Sequence, residues 1–113
     1  MICSDEVHCD LRLDDIPFVP FGALSPEIAQ RTITLNSPSK TYTIPGLAFS
    51  YAVIPDARLR SAFRHAGSGV LAEFNPFGIV ACEAAYRRGG PWLRELLIHL
   101  RRNRDLLLEA IEA

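Results

Sequence analysis

Lysine is nearly absent from this 113-residue sequence: eleven of its twelve basic residues are arginine, and Lys40 stands alone. Net charge is lacking too, because 12 basic and 13 acidic residues leave −1 at neutral pH. That balance gives no electrostatic footprint for nucleic acid or an anionic membrane, so neither is expected as a partner. Long apolar runs are missing despite a hydrophobic content of 49% and a mean hydropathy of +0.12. The longest uncharged run, 41–55, contains two prolines, a glycine and several hydroxyls. It falls short of the ~18 apolar residues a membrane-spanning helix needs. Cysteine is sparse and odd in number, and Cys3, Cys9 and Cys82 form no CxxC pair and follow no basic and apolar leader. A reduced, cytoplasmic protein is expected. The length allows one domain of roughly 100–200 residues and leaves little room for a second.

The lone lysine carries chemical meaning. A bias toward arginine codons accounts for the surface arginines but does not account for the lysine that remains. Only an amine can lose its proton and act as nucleophile or base, since the guanidinium stays protonated.

Along the chain, residues 1–8 read as a short buried strand that turns polar at its carboxyl end. Residues 9–30, punctuated by Pro17, Pro20, Gly22 and Pro26, form a connection with one short helix, Ser25 capping it and Pro26 in its first position. The β-branched stretch 31–36 is a second strand that runs into a Ser37-Pro38-Ser39-Lys40 loop, and 48–54 is a third strand stopped by Pro55. Beyond Pro55 the period becomes helical. Asp56 caps a helix through His65, with Leu59 and Phe63 one turn apart, before Gly67-Ser68-Gly69 interrupts. A second helix covers 77–88 and ends at Gly89-Gly90. Pro91 opens a third, in which Leu93, Leu96, Leu97, Leu100, Leu107 and Ile111 recur at threes and fours. Continued to Ala113, that helix would be ~35 Å long at 1.5 Å per residue.

Three strands followed by helices make an α/β chain whose sheet is too small to be covered on both faces, as parallel strands require. The expectation is an inner piece of a larger α/β protein. Residues 1–90 would belong to a large domain and 91–113 would be a long helix leading toward a domain not included.

If the first two strands are parallel neighbours, Asp5 and Lys40 emerge together at the carboxyl edge, where open α/β sheets bind ligands. Strands ~4.8 Å apart would let the two groups bracket a flat heterocycle. An acid and an amine facing one ring suit pyridoxal phosphate: the amine condenses with the aldehyde, and the carboxylate keeps the pyridine nitrogen protonated. Ser37 could donate to the phosphate. Against this stands a plainer reading, in which Asp5 caps a strand end, Lys40 is a solvated loop residue and Ser37 belongs to an ordinary turn.

The motifs favour the first reading. Ser4-Asp5-Glu6-Val7-His8, then Ser37-Pro38-Ser39-Lys40-Thr41-Tyr42 and Ile44-Pro45-Gly46-Leu47, resemble the fold-type I pyridoxal-phosphate enzymes of the class I/II aminotransferase superfamily. Within them the sequence is most similar to carbon–sulfur β-lyases of the cystathionine β-lyase type. The resemblance extends through Tyr51-Ala52-Val53-Ile54-Pro55 to the C-terminus. It implies the second half of that family's large, cofactor-binding domain running into the start of the small domain, and a homodimeric relative acting on a small-molecule substrate, a sulfur amino acid such as cystathionine. Lys40 corresponds to the cofactor-attaching lysine and general base, Asp5 to the partner of the pyridine nitrogen, and Ser37 to a phosphate ligand. His8 falls where many aminotransferases place a tyrosine on the cofactor's phenolic oxygen. Two positions depart from the pattern. Ala48 stands where many aminotransferases have a phosphate-binding arginine, which favours lyase over transferase. Thr43 stands where an asparagine is common. The family's upstream phosphate loop, stacking aromatic and carboxylate-binding arginine have no counterpart here, so these 113 residues alone are expected to be inactive.

Other readings are weaker. Ser37 and Lys40 fit S-x-x-K, in which lysine activates a serine one helical turn earlier. The residues after Lys40 are poor helix material, however, and Pro38 lies between the pair. A metal site from Cys3, His8 and Cys9 is not expected, because Cys3 and His8 would face opposite sides of a strand. A non-catalytic remnant or interaction module would use the leucine face of the last helix. His65 and His99 read as surface residues, Tyr86 and Trp92 as packing anchors.

Overall fold

The computed structural model describes residues 1–73 and 75–112. Three strands form one sheet in the order β1 (Ile2–Asp5), β2 (Thr32–Asn36), β3 (Tyr51–Val53). β1 and β2 are parallel, with Cys3 opposite Ile33 and Asp5 opposite Leu35. β3 turns back antiparallel to β2, Leu35 facing Ala52. Period-two alternation therefore puts Cys3, Asp5, Ile33, Leu35 and Ala52 on one face, and Ser4, Thr32, Thr34 and Asn36 on the other.

The strands are shorter than the sequence suggests. β1 ends at Asp5, because Glu6 accepts from the Cys9 amide and closes a turn, so His8 lies in that turn rather than on a strand. The strand is not buried: Cys3 and Asp5 are exposed, and Ile2 and Ser4 are half-buried. With β1 at the sheet edge, the side chains of Cys3 and Asp5 on its odd face are left open among the described residues. The expected third strand, 48–54, contracts to Tyr51–Val53, since Ala48 takes a left-handed conformation at φ 45°.

The helices follow their caps. The Ser25 side chain accepts from the Ile28 amide at the start of α1 (Pro26–Ala29), which leads back into β2. The segment expected as a loop is instead a single helical turn, α2 (Pro38–Thr41), with Ser37 as its cap. Pro38 occupies the first helical position, where its missing N–H costs nothing. Asp56 caps α3 (Ala57–Gly67) through the Leu59 amide at 2.7 Å, and Asn75 caps α4 (Pro76–Arg88). Gly90–Glu112 form α5, which begins one residue before Pro91. The expected continuation at Ala113 lies outside the described residues.

Two arginines strap α5 to the segment after β1. Arg104 donates to the Leu13 carbonyl at 2.6 Å, and Arg101 reaches the Asp14 carbonyl and the Asp15 carboxylate at 3.4 Å. On the opposite sheet face, Glu6, only 7% exposed, accepts from the Phe21 amide at 2.9 Å and the Ser4 hydroxyl at 3.0 Å.

The apolar core is thin. Ile33 and Ile54 are its buried hydrophobics among the described residues, whereas Ile98, Leu107 and Ile111 on α5 stay exposed. The accessible surface, 8481 Å², exceeds the ~6,200 Å² expected of a compact monomer of this mass. The radius of gyration of 17.0 Å exceeds the ~13 Å expected for this length. So much open apolar surface favours association.

Where the structure is close-packed, it tolerates no added atom. A Cβ at Gly78 would sit 2.7 Å from the Leu47 carbonyl oxygen and 3.0 Å from the Phe49 Cβ. The oxygen is backbone and already accepts from the Asn75 side chain. Overpacking costs about 1–3 kcal/mol, against about 1 kcal/mol of helix propensity gained by replacing glycine. Gly78→Ala is therefore expected to lower the denaturation midpoint. Gly46→Ala, which meets nothing within 4 Å, should stay within about 0.5 kcal/mol of the parent. Equal midpoints for the two variants would contradict this packing.

Candidate active site

Parallel pairing brings the carboxyl ends of β1 and β2 to one edge. A cleft of about 770 Å³ opens there between the sheet and α3, with Asp5, Ser37, Phe49, Arg60 and Phe63 among its walls. Asp5 is exposed on its rim and uses one oxygen, Oδ1, to accept from the Val7 amide at 3.2 Å. Arg60 is turned to the Ile54 and Pro55 carbonyls, at 2.6 and 3.0 Å, and holds the start of α3 against the end of β3.

Lys40 lies one helical turn beyond β2. Asn36 accepts from the Ser37 amide at 2.7 Å, which bends the chain out of the strand. The Ser37 hydroxyl, 6% exposed, accepts from the Ser39 amide at 3.1 Å and lies 2.7 Å from the Phe49 carbonyl and 2.9 Å from the Ser39 hydroxyl. Thr41, 1% exposed, donates to Asp10 at 3.3 Å and ties α2 to the turn after β1. Lys40 itself is exposed, and among the described residues it makes no ion pair.

The sequence-derived set is thus divided. Asp5 and Ser37 line the cleft; Lys40 and His8 do not. His8 is exposed, and its carbonyl accepts from the Leu11 amide. The S-x-x-K reading gains the helical turn it was denied but loses its chemistry. The Ser37 hydroxyl is directed to Phe49 and Ser39 rather than to Lys40. Among the described residues no group of three metal-ligating side chains forms. Beside Asn36, the Cys9 thiol is pushed upward in pKa, chiefly by burial, which disfavours the thiolate a metal would need.

Sequence reasoning missed Asp10 and Thr41, and it missed the role of Tyr42. The Tyr42 ring meets Tyr86 edge-on at 5.6 Å and lies 6.2 Å from Trp92, while Tyr51 and Tyr86 share a hydroxyl hydrogen bond of 3.2 Å. Partial burial first, then that hydrogen bond, pushes the Tyr86 phenol well above its ordinary pKa. Tyr86 and Trp92 pack on Tyr42 yet stay 39% and 45% exposed. The available signal for Tyr42 was an aromatic two residues past a lone lysine.

In kind, the donor set fits pyridoxal phosphate. One primary amine and one carboxylate with an oxygen to spare stand near the same sheet edge, with a serine hydroxyl between them in sequence. Thr43 also becomes intelligible. It adopts φ 56°, a left-handed conformation in which a β-branched residue is strained and asparagine is at ease.

No family model matches the chain. The cystathionine beta-lyase PatB of Bacillus subtilis is 41% identical over 106 residues, covering 90% of this chain and 27% of the relative. Among solved structures, OvoB is 48% identical with a TM-score of 0.90 over 93% of the chain. Cystalysin of Treponema denticola, which contains pyridoxal 5'-phosphate, is 29% identical with a TM-score of 0.94 over the whole chain. The chain spans 27–29% of the length of these proteins. By sequence and by fold it is similar to one stretch of fold-type I pyridoxal-phosphate enzymes.

The strain at Thr43 is open to test. Thr43→Asn should stabilise the chain by about 1 kcal/mol, the lower end of the ~1–3 kcal/mol range of such backbone strain. Thr43→Val, which keeps the branch, should not. Denaturant midpoints that rank the other way would refute the left-handed assignment.

Proposed function

We propose that this chain supplies the cofactor-attaching lysine and the ring-nitrogen carboxylate of a pyridoxal-phosphate-dependent carbon–sulfur β-lyase of the cystathionine β-lyase type. The observation that carries the reading is the parallel β1–β2 pair, which ends in Asp5 on one strand and leads into the turn bearing the sole lysine on the other. Pyridoxal phosphate, when bound, supplies an aldehyde for the lysine amine and a ring that accepts electrons from the substrate.

The chain's residues do the rest. Lys40 holds the cofactor through its amine and, once the substrate amine has taken its place, removes the α-proton. Asp5 keeps the ring nitrogen protonated with the oxygen its turn leaves free. Cleavage of the Cβ–S bond then releases the thiolate with the bonding electrons, and hydrolysis of the remaining unsaturated amine gives pyruvate and ammonia. Ser37 is assigned to the phosphate and His8 to the phenolic oxygen. An exposed lysine keeps its amine open to exchange.

A second reading, a class I/II aminotransferase, shares every step through proton removal, and aminotransferase names occur among the relatives. Ala48, in place of an arginine, favours the lyase. We further assign residues 1–90 to the second half of the large domain and 91–113 to a helix leading toward the small domain. A homodimer in the cytoplasm agrees with the open apolar surface and with three free thiols.

With added pyridoxal phosphate, borohydride reduction and peptide mapping should place the adduct on Lys40, with only the N-terminal amine in competition. An adduct of equal yield in Lys40→Ala would overturn the assignment. Residues 1–113 grafted over the matching segment of the Bacillus relative should release pyruvate from cystathionine. Transamination of a keto acid without pyruvate release would select the second reading. Asp5→Asn in that chimera should still attach the cofactor yet lose about 100-fold or more in turnover, the scale of a removed electrostatic stabiliser. Unchanged turnover would remove Asp5 from the role.

A further inference from the structure

We infer that Tyr42 is a positioning residue for Lys40, its ring seated against the α4–α5 corner so that the corner sets the direction of the lysine's helical turn. The inference rests on the proposed attachment role of Lys40 and adds a determinant which that role does not contain.

The contacts run from lysine to corner without a gap. The Tyr42 amide donates to the Pro38 carbonyl at 2.9 Å and closes the turn that carries Lys40. From the same residue the ring leaves the turn, meeting Tyr86 of α4 edge-on, with planes at 88°, and Trp92 of α5 at 38°. Between those two helices stands Gly89, whose amide donates to the Ala85 carbonyl at 2.7 Å and whose carbonyl accepts from Leu93 at 2.9 Å. A Cβ at Gly89 would lie 2.7 Å from the Tyr42 Cδ1. The ring therefore rests on bare backbone, a seat only glycine leaves open.

α2 depends on its surroundings, in which Ser37, Pro38 and Thr41 are buried. It is four residues long, far below the length at which a helix is stable by itself. Its other anchors lie within three residues of Lys40: the Ser37 hydroxyl bonds the Ser39 amide, the Ser39 hydroxyl and the Phe49 carbonyl, and Thr41 donates to Asp10. Tyr42 adds aromatic contacts to both long helices, Tyr86 on α4 and Trp92 on α5. The ring does this rather than the hydroxyl, since edge and tilted aromatic contacts need no phenol.

The test uses the full chain and reads attachment rather than turnover. Pyridoxal phosphate is trapped on Lys40 by borohydride over time in the parent and in Tyr42→Ala, Tyr42→Phe, Trp92→Ala and Lys40→Ala. Acetylation of Lys40 by a small acylating reagent serves as the measure of bare access. Tyr42→Ala should slow trapping on the order of 10–100-fold, the cost of ångström-scale misplacement of a reacting group. Its acetylation rate should not change. Tyr42→Phe should match the parent, and Trp92→Ala, which removes one exposed wall of the seat, should fall between. Trp92→Ala decides the matter if Tyr42→Ala does not fold. Trapping at the parental rate in both Ala variants, with Lys40→Ala unlabelled, overturns the inference and leaves the proposed function standing. Equal slowing of trapping and acetylation also overturns it, because the ring would then govern exposure alone. Labelling of equal yield in Lys40→Ala defeats the proposed function itself.

Discussion

The parallel register of β1 on β2 is the constraint from which the site derives. Because Asp5 faces Leu35, the carboxylate and the exit of β2 share an edge, and the next residues must build the lysine's turn there. A slip by one residue would invert every side chain of β1 and exchange Asp5 with Glu6. The two carboxylates are already divided by this rule. Glu6 is buried and committed to Phe21 and Ser4, and Asp5 is exposed with an oxygen unengaged. Adjacent acids thus have opposite uses, one structural and one available for chemistry.

Local signals made much of this legible. Ser25 and Asp56 each accept the amide bond expected of a cap, and a capping side chain, unlike a strand, needs no distant partner. Strand limits were harder to read because they depend on tertiary contacts. Glu6 ends β1 by accepting a turn bond, and Ala48 at positive φ shortens β3. Neither residue type announces such a role. The stretch 37–40 was misread for a different reason. Pro38 argues against a helix only in an interior position, and here it stands first, so the residue taken as a breaker is a starter.

The site was legible by residue type and obscure in its arrangement. A lone amine and a strand-end carboxylate are visible as letters. That Ser37 would spend its hydroxyl on Phe49, or that Asp10 would hold Thr41 from 31 positions away, depends on chain paths that no local pattern encodes. The thin core has the same origin. Its apolar residues were countable, but which of them would find partners was not, and on the exposed stretch of α5 few do.

The two arginine straps give the molecule an order in time. Arg101 and Arg104 grip carbonyls at Asp14 and Leu13, 87 and 91 positions earlier, whereas β1 and β2 join residues only 30 apart. During synthesis the sheet can close while α5 is still unmade, because contacts of short sequence separation form at smaller entropic cost. The stretch around Leu13–Asp15, in the loop held between the two strands, then waits until the last described helix arrives to fasten it. The site is accordingly finished from its far end, by residues that never touch it.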